Sequence, residues 1–227
     1  MSEVFSVAID GPVGAGKSCV AKKVAERLNA AYLDTGAMYR AVGLYMLENG
    51  VSLEDGAAIA ENAGKARVDV RYEGREQRTY LNGRDVTGEL RRPEVSLASS
   101  AVAKVHAVRE ALVNRQRELA RGISLVMDGR DIGTCVLTDA TLKIFLTATP
   151  EERARRRFRQ MNGRGEQSFE DVLNDLIRRD RNDMSRAESP LRCAEDAVEL
   201  DSTSLTEDEV VERIVSLLME RTGGERA

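Results

Sequence analysis

Residues 7–28 read VAIDGPVGAGKSCVAKKVAERL: an apolar run, a turn with three glycines and a proline, then a lysine, a serine and a helical repeat. Gly11–Ser18, GPVGAGKS, is a full match to GxxxxGK[ST], and it lies where that motif needs to lie, after a buried strand and at the opening of a helix. Glycines let the backbone wrap so that successive N–H groups point at one phosphate, and the helix N-terminus adds partial positive charge. The motif therefore predicts a loop for the phosphates of a nucleoside triphosphate, built from Gly11, Pro12, Val13, Gly14, Ala15, Gly16, Lys17, Ser18 and Cys19. Lys17 would reach the β- and γ-phosphates, and the Ser18 hydroxyl would ligate Mg²⁺. A glycine turn without a ligand would leave the strand, motif and helix as a coincidence.

The rest of the chain alternates. The pattern predicts strands at Val4–Ile9, Ala31–Leu33, residues 123–128 (ISLVMD), residues 142–146 (LKIFL) and residues 197–203 (AVELDST). It predicts helices at Lys17–Leu28, through residues 34–50 closed by Gly50, at Leu53–Ala66 capped by Ser52, across Pro93–Leu119 as two helices, from Pro150, at Phe169–Met184 and at the C-terminus on Val210, Val211, Ile214, Leu217 and Leu218. Alternating residues between Val68 and Val86, with turn signals at Glu73-Gly74 and Asn82-Gly83, predict a small antiparallel sheet inserted into this series. The expected class is α/β with a mostly parallel sheet.

Composition narrows the function. No apolar run approaches the ~20 residues of a membrane span, and Met1-Ser2-Glu3 does not resemble a signal peptide, so a cytoplasmic location is expected. A net charge of −4 argues against general nucleic-acid binding. The three cysteines, Cys19, Cys135 and Cys193, show no metal-ligand spacing and read as reduced thiols. His106 is the single histidine, which disfavours any His-dependent triad, and it is expected at the surface or an interface.

Where the phosphate goes depends on a second anion site. Arg40 follows the short second strand, Arg130 follows the strand ending at Asp128, and Arg179 and Arg186 lie on a later helix. Arginine suits bidentate capture of phosphate. In open α/β sheets ligands sit at the carboxyl ends of the strands, where Asp34 and Asp128 fall. Asp128 is expected either beside Mg²⁺ or as a helix cap. This favours a small kinase over a switch or motor that hydrolyses its nucleotide, and over a nucleic-acid module using the arginine cluster at residues 153–192.

DGPVGAGKS (10–18), YLDTGAMYRA (32–41), NGRDVTGELR (82–91), VREALVNRQR (108–117), MDGRDIGT (127–134) and RRDRNDMSRAESPLRCAEDAVELDST (178–203) occur in this order. Together they resemble the bacterial cytidylate kinase family of the nucleoside monophosphate kinases, from about Val4 to Leu218. The resemblance implies one P-loop kinase chain, residues 1–227. It implies a five-stranded parallel sheet flanked by helices, a nucleoside-monophosphate-binding insertion near 35–105 carrying a three-stranded antiparallel sheet, and a short lid near 153–170 with Arg153, Arg157 and Arg164. It implies ATP-dependent phosphorylation of CMP and dCMP with Mg²⁺, in a monomer with no nucleic-acid or membrane partner. Lys17, Asp128, Arg130 and Arg186 would be catalytic. Ser100, Arg109 and Asp131 would read the cytosine edge. Arg40, Arg130 and Arg186 would hold the CMP phosphate, Arg179 and Asp183 would meet the sugar hydroxyls, and Thr35 would lie near the acceptor. Cys135 and Thr138 depart from the family's apolar residue and proline. The nearest alternative is a kinase of the same architecture for UMP, AMP or another acceptor.

Overall fold

The computed structural model describes residues 4–74, 76–161 and 168–223. Its elements run β1 (Ser6–Asp10), α1 (Lys17–Arg27), β2 (Ala31–Asp34), α2 (Thr35–Glu48), α3 (Gly56–Ala63), β3 (Val68–Glu73), β4 (Glu76–Leu81), β5 (Arg84–Asp85), α4 (Pro93–Val102), α5 (His106–Ala120), β6 (Leu125–Asp128), β7 (Leu142–Thr147), α6 (Pro150–Met161), α7 (Phe169–Met184), β8 (Val198–Asp201) and α8 (Glu207–Arg221). The chain divides into two units, Met1–Ala31 with Gly122–Ala227, and Tyr32–Arg121. The second is wider than the 35–105 expected, because α5 stays with α2 and α3.

A five-stranded parallel sheet runs in the order β2-β6-β1-β7-β8. Ile9 lies opposite both Asp128 and Ile144, so β1 is the central strand. Val7, Ala8 and Ile9 of β1 and Leu125, Val126 and Met127 of β6 are buried on both sheet faces. Parallel strands covered by helices read as unbroken apolar runs for this reason. Residues 132–136 after β6 form a single π-helical turn, which no pattern in the sequence predicts.

The smaller unit carries the expected antiparallel sheet, β3-β4-β5. Asn82 and Gly83 both have positive φ, as a tight two-residue hairpin turn requires. Three local expectations shift. β1 starts at Ser6, leaving Val4 exposed. α3 starts at Gly56, capped by Asp55, whose carboxylate accepts from Ala57 N and Ala58 N at 3.0 Å each, so Ser52 is not its cap. A carboxylate placed directly before the helix satisfies two free N–H groups, which a hydroxyl four residues earlier does not. On α8, Val210, Val211, Ile214 and Leu218 are buried, whereas Leu217 is only half-buried. His106 is exposed at the start of α5.

Candidate active site

The Gly11–Ser18 loop joins the central strand to α1. Gly11 has φ 146°, and a Cβ there would stand 2.0 Å from the Leu146 carbonyl oxygen of β7, so only glycine lets the loop leave the sheet. Gly16, at φ 88°, precedes α1 without a side-chain cap, which leaves the helix's first N–H groups available to an anion. Lys17 is buried, and its Nζ donates to the Pro12 carbonyl at 2.7 Å. Burial pushes its ammonium down to about 7. The Arg130 charge adds to this, and Asp128, Asp10 and Asp183 oppose it. Three charged residues of the expected site, Arg130, Asp128 and Asp183, thus act on Lys17.

Asp128 ends β6, and its Oδ2 accepts from the Ser18 hydroxyl at 2.8 Å. Two hard oxygen donors therefore adjoin at the phosphate loop, the donor type that Mg²⁺ takes. The cap position of the turn that follows belongs to Asp131 and not to Asp128. Just beyond, Arg130 Nε donates to Asp183 Oδ2 at 2.9 Å, and Arg186 Nη2 donates to Asp183 Oδ1. One buried carboxylate on α7 therefore orients two of the expected phosphate-binding arginines. Asp131 is buried at the start of the π-helical turn. Arg179, half-buried on α7, is pulled below the usual guanidinium range by burial, with Arg157 and Arg178 repelling it.

Two features of this unit were not expected. Asp10, at the end of β1, accepts from Ile132 N and Gly133 N at 2.7 Å each, clamping the turn that follows Arg130 and Asp131. Burial pushes its carboxyl up to about 6, against those two hydrogen bonds. The sequence signal was an aspartate at the end of an apolar strand, which is too common to single out. Arg153 is the second, and it is a correction. Expected in the lid, it is buried under the phosphate loop: it pairs with Asp180 at 2.6 Å and donates to the Ala148 and Val13 carbonyls at 2.9 Å each. A guanidinium with its donors so engaged is part of the framework. Arg157 lies on the described part of α6, and Arg164 lies outside the described residues.

The smaller unit holds the other expected residues. Asp34 caps α2 by accepting from Ala37 N at 2.9 Å and pairs with Arg40 Nη2 at 2.8 Å. Thr35 is buried at the first position of α2. Arg109 is buried on α5 with its guanidinium 5.8 Å from the centre of the Tyr39 ring, within cation–π range. Ser100 is exposed on α4.

A phosphate loop on the central strand of a parallel sheet, with an aspartate against its serine and two arginines, Arg130 after β6 and Arg186 just past the end of α7 instead of on it, held by one carboxylate of that helix, defines a P-loop kinase. The fold agrees with a gluconokinase from Sinorhizobium meliloti (TM-score 0.51, 13% identity, covering 95% of this chain and 92% of that one). A model of the cytidylate kinase family matches residues 7–220. The cytidylate kinase of Desulforamulus reducens is 52% identical over 95% of this chain and 97% of its own length. That of Caldanaerobacter subterraneus subsp. tengcongensis is 50% identical over 96% of each. The chain belongs to the cytidylate kinase family.

Proposed function

We propose that the protein transfers the γ-phosphoryl group of ATP to CMP or dCMP, yielding ADP and CDP or dCDP. The observation that supports this most is Asp183 holding Arg130 and Arg186, with Lys17 feeling the charges of both Arg130 and Asp183. Hydrolysis alone needs no such second set of cations; an acceptor that brings its own phosphate does.

In this reading the N–H groups of the Gly11–Cys19 loop and the Lys17 ammonium hold the donor phosphates. Arg40, Arg130 and Arg186 hold the acceptor phosphate, and Arg179 and Asp183 meet the sugar. Thr35 lies near the acceptor, and Ser100, Arg109 and Asp131 read the cytosine edge. Asp131 accepts from the exocyclic amino group, while Arg109 and Ser100 donate to the base acceptors. Uracil would set a carbonyl against that carboxylate, an unpaired and repulsive contact. A phosphate dianion is already nucleophilic, so this chain's residues have to position and neutralise without removing a proton. Ser18 and Asp128 fit Mg²⁺, which when bound to the nucleotide neutralises charge on its phosphates. Arg157 and Arg164 would exclude water from the transfer as lid residues. A monomer acting on free nucleotides in the cytoplasm, without a nucleic-acid or membrane partner, belongs to the same proposal. Among the described residues no helix is long and apolar enough to cross a membrane.

The test is an ADP-release assay with ATP and Mg²⁺, offering CMP, dCMP, UMP and AMP separately. Fast turnover restricted to CMP and dCMP supports both the reaction and the cytosine contacts. Equal turnover of all four removes the cytosine contacts, and release that ignores the acceptor removes the kinase.

A further inference from the structure

The antiparallel sheet of the smaller unit grips the segment that launches Arg40. Tyr72 on β3 and Gln77 on β4 are directly paired across the strands, so their side chains share one sheet face. Both reach the backbone of β2. The Tyr72 hydroxyl donates to the Tyr32 carbonyl at 3.0 Å. Gln77 brackets Asp34: its Oε1 accepts from Asp34 N at 2.7 Å, and its Nε2 donates to the Asp34 carbonyl at 3.3 Å and to Thr79 Oγ1 at 3.3 Å. A primary amide offers one donor edge and one acceptor edge, which matches one residue's N–H and C=O as a neighbouring strand would. Asp34 is where β2 ends and α2 begins, and its carboxylate both caps that helix and holds the Arg40 guanidinium.

We propose that Gln77 is a positioning residue for acceptor binding, acting through Asp34 on Arg40. The inserted sheet then contributes directly to the site, because it fixes the peptide from which an acceptor-phosphate arginine is aimed. Without Gln77, Asp34 N loses its acceptor at a half-buried junction, and the start of α2 turns to find another. The Asp34 carboxylate follows its own backbone, and Arg40 follows the carboxylate. The donor loop belongs to the other unit, and the hydrogen bonds that Gln77 makes to Asp34 and Thr79 stay within its own. The effect should therefore fall on CMP and spare ATP. The inference rests on the reading of Arg40 as a ligand of the acceptor phosphate.

The experiment is steady-state kinetics on Gln77→Met, Tyr72→Phe, Arg40→Ala and the Gln77→Met/Arg40→Ala double variant, each checked for Tm. Gln77→Met is expected to raise KM for CMP about tenfold while KM for ATP and kcat stay within about twofold. Added to Arg40→Ala, it is expected to change KM for CMP by less than about twofold, because the residue it positions is gone. Tyr72→Phe, which keeps the ring, is expected to raise KM for CMP by a smaller factor and tests the grip if Gln77→Met does not fold. The full Gln77→Met penalty on the Arg40→Ala background would overturn the inference and leave Arg40's role standing. So would parallel rises in both KM values, or an unchanged KM for CMP in both single sheet variants. A normal KM for CMP in Arg40→Ala would instead remove the Arg40 reading, and the inference with it.

Discussion

Asp183 Oδ2 accepts from Arg130 Nε at 2.9 Å, and the same carboxylate's other oxygen is held by Arg186. The carboxylate is buried, with its side chain 10% exposed. Truncation to alanine would leave two cations facing each other without the anion between them, a loss on the order of 3 kcal/mol. Asp183→Ala is expected to lower Tm and raise KM for CMP more than tenfold, and to narrow the difference between CMP and dCMP if Asp183 also meets the sugar. Kinetics with both acceptors and a thermal melt check this. A variant with unchanged acceptor kinetics would show that the two arginines orient themselves.

Lys17 gives the opposite balance of stability and activity. Its ammonium is disfavoured by burial and is held at about 7, so the folded chain gains little from its charge. Lys17→Met keeps the aliphatic stem and removes the charge. The expected outcome is an unchanged or raised Tm together with a kcat about 10²–10³-fold lower. Denaturation and ADP-release assays on the same preparation decide it, and turnover near the wild-type rate would rule out a role for Lys17 on the donor phosphates.

Legibility in the sequence follows the range of the interactions. The GPVGAGKS loop was readable because its residues are contiguous and each glycine answers a local backbone demand, as Gly11 does against Leu146. The strands were readable because burial on both faces leaves unbroken apolar runs, and the Asn82-Gly83 hairpin because its turn type restricts the residues. Arg153 was misplaced because an arginine in a charged run looks the same whether it faces solvent or lies under a loop. Only the fold brings Asp180 and the Val13 carbonyl to it, 27 and 140 residues away in sequence. Gln77 and Asp10 were missed for the same reason: each acts on backbone N–H groups, which carry no side-chain signature, at separations of 43 and more than 120 residues.

Arg153 and Asp180 form a buried pair, exposed by 4% and 11%, with Asp180 Oδ1 otherwise unpartnered. Removing one partner of such a pair strands the other charge. Arg153→Met is expected to cost about 3–5 kcal/mol, and the Arg153→Met/Asp180→Leu double variant to recover most of it. ATP affinity should fall in both, since the Val13 carbonyl loses its donor in each case. Denaturation curves and nucleotide titrations separate the two effects. Recovery of ATP affinity alongside stability would show that the contact to the loop is incidental.

Asp10 predicts a pH dependence. Its carboxyl has an ordinary value of 3.8 and is pushed up to about 6 in the fold, first by burial and then by the Asp131 charge, against the Gly133 and Ile132 N–H groups and Lys17. For an acid raised in the folded state, the folded chain holds a proton that the unfolded chain has released between these two values. Its contribution to stability is therefore complete below about pH 4 and is lost as pH rises through about 6. The loss is on the order of 3 kcal/mol. Asp10→Asn cannot titrate, and its amide sets a donor against one of the two N–H groups. The stability of the wild-type chain minus that of Asp10→Asn is therefore expected to decline across pH 4–6 and to level off above it. Urea denaturation of both chains at half-unit pH steps measures the difference. A difference that stays constant across the window would mean that Asp10 is already ionised at pH 4, and that the two N–H groups outweigh its burial.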